Sequence, residues 1–129
     1  MPFLLKARNF LTNPGILGTH PYYSIMRDTV EYLLNNAVGI SNAISTDRII
    51  DFLRSKGHAI YREEWQINVL GPLRDNGVFV ASKPAVGMFV IETVNDAREV
   101  VASMEHRINV ETRRLQILRQ IASQGGWNI

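Results

Sequence analysis

With 129 residues and 14.6 kDa, the chain has room for one ordinary domain and an appendage, not for two full cores. Hydrophobic residues make up 46%, enough for burial to offset the entropy of folding. Fourteen Lys and Arg against twelve Asp and Glu, with no Cys, exclude an indiscriminate polycation, disulfides and thiolate metal sites; a reducing cytoplasm is the expected compartment.

The start Phe3-Leu4-Leu5 is interrupted by Lys6 and Arg8, and no run approaches a secretory apolar segment or a membrane span. Residues 1–27 hold Lys6, Arg8 and Arg27 and no acid, as a basic arm or a transit peptide would. Pro2, Asn13-Pro14-Gly15, Gly18 and Pro21 predict an extended arm over 1–22 with one turn. Its Phe3, Leu4, Leu5 and Phe10 should lie across an apolar surface of its own domain or of a second copy.

A domain over 23–93 is expected next. From Tyr23 to Ala37, Met26, Val30, Leu33, Leu34 and Ala37 recur at helical spacing. After Val38-Gly39, Ile40-Ser41-Asn42-Ala43-Ile44 alternates like a short half-buried strand. Ser45 reads as a helix N-cap, Asp47 complements the positive helix end, and Ile49, Ile50, Phe52 and Leu53 supply the buried face up to a stop at Gly57.

A third helix starts near Tyr61 or Arg62, with Glu63 and Glu64 in its first turn and Trp65, Val69, Leu70 and Leu73 facing inward. Pro72 denies Asn68 a donor, which predicts a kink, or a break with Pro72 opening a short continuation. Asn76-Gly77 ends it. Two β-prone runs, Val78 to Ser82 and Met88 to Ile91, around Lys83-Pro84-Ala85-Val86-Gly87 predict a β-hairpin. From about Asn95 to Ser123 there is neither Gly nor Pro, which predicts one long helix over 94–123, followed by a tail over 124–129.

The apolar helix Met26 to Ala37, the Ser45-Thr46-Asp47 opening and the junction Leu73-Arg74-Asp75-Asn76-Gly77-Val78-Phe79 together resemble the winged helix-turn-helix superfamily. The fold class expected is mainly α with a small β-hairpin, an α+β winged helix-turn-helix with a long C-terminal helix. The resemblance implies duplex DNA binding, with the third helix in the major groove and the hairpin loop against phosphate or the minor groove. Arg62, Gln66 and Asn68 are the candidate base readers. Lys83 in the wing loop, with Lys56 and His58 before the third helix, are the candidate phosphate contacts. Glu63 and Glu64 oppose this, since carboxylates repel phosphate.

On the long helix, Val94, Ala97, Val101, Met104, Ile108, Glu111, Leu115, Leu118 and Ala122 follow an unbroken three-four spacing, the pattern of a coiled-coil seam. Val101, Met104, Ile108, Glu111, Leu115 and Leu118 are the expected dimerisation residues. Glu111 is the exception in the seam, and Arg107 and Arg114 are near enough to pair with it and set register. Val100, Val110, Ile117 and Ile121 add apolar surface beside it. Packing on its own domain is the competing reading, and a homodimer the favoured one.

His20, His58 and His106 are scattered, and the phosphate-loop and His-Glu-x-x-His patterns are missing, so no metal, cofactor or enzymatic activity is expected. Trp127, after two glycines, either docks on a partner or folds back on the long helix, and the second is favoured. Two functions compete: a homodimeric DNA-binding regulator or accessory of a DNA-processing system, and a protein interaction module or assembly subunit, which the near-neutral charge favours.

Overall fold

The computed structural model describes residues 1–128; the last residue of the expected tail, Ile129, lies outside them. The chain divides into two compact units, Met1–Ala97 and the remainder from Arg98 on. The first contains nearly all the core.

The N-terminal segment is helical rather than extended. Helix α1 spans Pro2–Thr12, and a 3₁₀ turn covers Gly15–Thr19. Pro2 is the reason the expectation fails: at the first helical position its missing N–H costs nothing and its fixed φ suits the helix. No other breaker intervenes before Asn13-Pro14. Leu4, Ala7 and Phe10 are buried, and α1 packs on α2, Tyr23–Asn36. The Phe10 ring meets the Tyr23 ring edge-on at 5.9 Å. Leu4 and Phe10 are thus covered by their own domain, whereas Phe3 is half-buried and Leu5, expected to be covered with them, is 59% exposed.

Helix α2 turns Met26, Val30 and Leu33 inward. Helix α3, Thr46–Ser55, is capped as its sequence requires: the Ser45 hydroxyl accepts from the Arg48 amide at 3.1 Å. Ile49, Ile50 and Leu53 are its buried face, and Gly57 follows it at φ +95.

The third helix is three pieces end to end: α4, Arg62–Trp65, a π turn, Gln66–Leu70, and α5, Gly71–Asp75. Pro72 has no N–H for the Asn68 carbonyl and crowds it. The backbone widens instead, and the Gly71 amide reaches Gln66, five residues back. Trp65, Val69 and Leu73 remain fully buried.

The wing is an antiparallel pair, β1 Val80–Lys83 and β2 Gly87–Val90, with Val80 opposite Val90 and Lys83 opposite Gly87. The segment expected as a strand at Ile40 to Ile44 is a 3₁₀ turn over Ile40–Asn42. Only its end pairs: Ile44 and Met88 exchange backbone hydrogen bonds at 3.0 and 2.7 Å, and Val38 bridges Val90. Gly87, at φ +127, lets the Ile44 carbonyl come so close that a Cβ there would stand 2.5 Å from its oxygen.

The junction motif joins helix to wing. Gly77, at φ +85, turns the chain so that the Val78 amide donates to Leu73 at 2.9 Å. Arg74 donates to the Val80 carbonyl at 2.8 Å and lies over the Phe79 ring. The whole is a winged helix-turn-helix arrangement, mainly helical with one small hairpin.

Helix α6 spans Val94–Gln124. It opens with a reciprocal cap: the Asp96 amide donates to the Thr93 hydroxyl at 3.1 Å, and the Asp96 carboxylate accepts from the Thr93 and Glu92 amides. At the other end Trp127 donates its backbone N–H to Ala122 at 2.9 Å after Gly126 at φ +80. The indole does not fold back, since Trp127 is 71% exposed.

Candidate nucleic-acid interface

The inner side of the third helix is anchored by its apolar residues and by one polar contact. The Trp65 indole donates to the Thr29 hydroxyl at 3.2 Å, which in turn donates to the Ile25 carbonyl at 2.7 Å. Trp65 and Thr29 are fully buried, so the pair satisfies two groups that would otherwise be costly inside. With that side fixed, the outward side is determined.

Arg62, Glu63, Gln66 and Ile67 are exposed there, and Asn68 is half-buried. The π turn accounts for the last two: the extra residue shifts the face, placing Ile67 (63% exposed) outward beside Gln66 and drawing Asn68 in. Arg62 sits 3.6 Å from Asp47 of α3, with both side chains largely in water, a pair weak enough to yield to a ligand. Beside it stand Tyr61, 71% exposed, and Arg54, whose guanidinium lies over the Tyr61 ring. The Arg54 chain is held by its bond to the Ile60 carbonyl at 3.1 Å.

The two carboxylates of the first turn separate. Glu64 turns back and accepts from the Tyr22 hydroxyl at 2.7 Å. That bond, with desolvation and the carboxylate's charge behind it, pushes the phenol above its ordinary pKa of 10.0. Of the two, Glu63 stays exposed on the outward side, near the exposed Asp47 that faces Arg62.

The candidate phosphate contacts are placed differently from one another. Lys56 is exposed at the end of α3. His58 is committed to structure: its Nε2 lies 2.7 Å from Asp28 of α2, both side chains about four-fifths covered. Lys83 is not in the wing loop; it is the last residue of β1 and half-buried. The tip is Pro84-Ala85-Val86, closed by the Val86 amide on the Lys83 carbonyl at 3.0 Å with Ala85 at φ +64. A positive φ at the second central residue after proline is the type II turn pattern.

Sequence reasoning passed over Tyr61, Arg54 and Ile67. The Arg54-Tyr61 stack forms across a tight turn between two helices, and no spacing rule signals it. Across Met1–Ala97, Lys and Arg are matched one for one by Asp and Glu. On α6 the seam residues are exposed: Val101 52%, Met104 36%, Ile108 58%, Leu115 47% and Leu118 56%. Glu111 accepts from Arg114 at 3.0 Å, as expected of one of its two neighbours.

Among the described residues no group of three or more His, Asp or Glu is gathered to hold a metal ion, and no helix is long and apolar enough to cross a membrane. No family model, curated protein or solved structure matches the chain.

Proposed function

We propose that the protein is a homodimeric, non-catalytic winged-helix module that binds duplex DNA, as a regulator or an accessory of a DNA-processing system. The observation that carries this reading is the outward side of the third helix. Arg62 and Gln66 project from it into solvent beside the Tyr61-Arg54 stack, with the opposite side locked into the core. Arg and Gln are suited to guanine and adenine edges respectively. Lys56 and Lys83 supply charge for the phosphates, and the exposed α6 seam supplies the second copy that two half-sites require.

A second reading, a protein-binding module, is favoured by two observations: the balanced charge of Met1–Ala97 and the exposed Ile67 beside Gln66. Fluorescence anisotropy against random duplex at two salt concentrations separates the readings. DNA binding predicts affinity that falls steeply with salt. It also predicts that Arg62→Ala weakens binding by about 1–3 kcal/mol if Arg62 reads a base, or lowers the salt slope by about one if it meets a phosphate. Binding that is undetectable at low salt, or indifferent to salt and to Arg62→Ala, contradicts it.

A further inference from the structure

We infer that α6 pairs with a second copy of itself antiparallel, about a two-fold axis crossing the helix between Asn109 and Val110. The inference rests on the dimer proposed above and adds its orientation. The seam residue that decides is Glu111.

In a parallel pair, identical seam residues share a layer. Glu111 would then face the partner's Glu111, two carboxylates desolvated together; each keeps its own Arg114 at 3.0 Å, but the partner's Arg107 and Arg114 sit about a turn away along the axis. An antiparallel pair matches unlike positions. Centred on 109 and 110, it sets Val101 against the partner's Leu118, Met104 against the partner's Leu115, and Glu111 against the partner's Ile108. The exposed seam from Val101 to Leu118 is then covered without offset.

The charge also closes. In this register the partner's Arg107 lies about 1.5 Å along the axis from Glu111, on the side toward which Glu111 already leans to reach its own Arg114 at 3.0 Å. Arg107 makes no ion pair or hydrogen bond within the chain among the described residues. Each Glu111 therefore sits between one guanidinium of its own chain and one of the partner's, which is the hydrogen-bonded pairing a carboxylate in an apolar seam requires.

Orientation sets how far apart the two copies of the second unit's first residue lie. At about 1.5 Å per residue, the two copies of Arg98, where the second unit begins, stand about 35 Å apart in the antiparallel pair. In a parallel pair they would lie about 10 Å apart, one interhelix distance. The separation of the two Arg98 copies is thus a second quantity that distinguishes the orientations.

The chain has no Cys, so introduced thiols report pairing directly. Val101→Cys and Leu118→Cys are made separately, their mass in solution is measured under reduction, and each is oxidised alone and mixed. The antiparallel pair predicts a covalent dimer only in the mixture, because either residue is about 25 Å from its own copy. Met104→Cys with Leu115→Cys repeats the test one layer inward, should the first pair weaken the seam. Covalent dimers of each variant alone overturn the orientation and leave the dimer standing. A wild-type chain that is monomeric at all concentrations overturns both. A wild-type dimer in which neither pair cross-links removes α6 from the interface.

Discussion

At the scale of single residues, the first unit is held by a few polar contacts placed where the core could not tolerate an unpaired group. Thr29 is the clearest case. Its hydroxyl sits fully buried between the Ile25 carbonyl and the Trp65 indole. Thr29→Val keeps the shape but leaves the indole N–H without an acceptor. The expected loss is about 1–3 kcal/mol of stability, read as a lower urea midpoint, with Thr29→Ser largely restoring it; an unchanged midpoint would show that the contact contributes nothing. Neither this contact nor the ties of Glu64 to Tyr22 and of His58 to Asp28 was legible in the sequence. Each joins residues thirty or more positions apart, and local pattern contains nothing of such distances. His58 therefore read as a phosphate contact when its ring was already engaged.

At the scale of elements, what was legible is what short-range chemistry determines. The Ser45 cap, the glycine stops after α3 and α5 and the inward stripe Trp65, Val69, Leu73 all depend on neighbours within a few residues. The wing was legible as a hairpin but not in its bounds. Its Lys83 belongs to a strand because Gly87 pairs with it and approaches the Ile44 carbonyl, a tertiary contact. The Thr93-x-x-Asp96 cap was legible in principle, as a hydroxyl followed three residues later by a carboxylate. The wing makes its own prediction: Gly87→Ala must move the Ile44 backbone and strain a positive φ. It should cost more than about 1 kcal/mol and release the Met88 amide to hydrogen exchange. A variant as stable as the parent, with Met88 still protected, would mean the close approach is not needed.

At the scale of the molecule, composition bounded the answer without choosing it. A net charge of +2 left duplex binding dependent on a local surface. The structure provides a mixed one: Arg62, Gln66, Lys56 and the Arg54-Tyr61 stack, with Glu63 and Ile67 among them. The three-four repeat of α6 was legible as a pattern, and Val101, Met104, Ile108, Leu115 and Leu118 are exposed in the single chain; the second copy proposed to cover them is a matter for the cross-linking test. Which partner covers the third helix was not legible, since the side chains that meet a groove and those that meet a protein overlap. The most direct measurement is an amide-by-amide map of the full-length protein with and without a random duplex, by NMR or hydrogen exchange. The DNA-binding account predicts changes concentrated from Tyr61 to Asn68 and across the end of the wing, from Lys83 of β1 through the tip to Gly87 of β2. Changes absent from both segments, while the duplex is demonstrably bound, would contradict it.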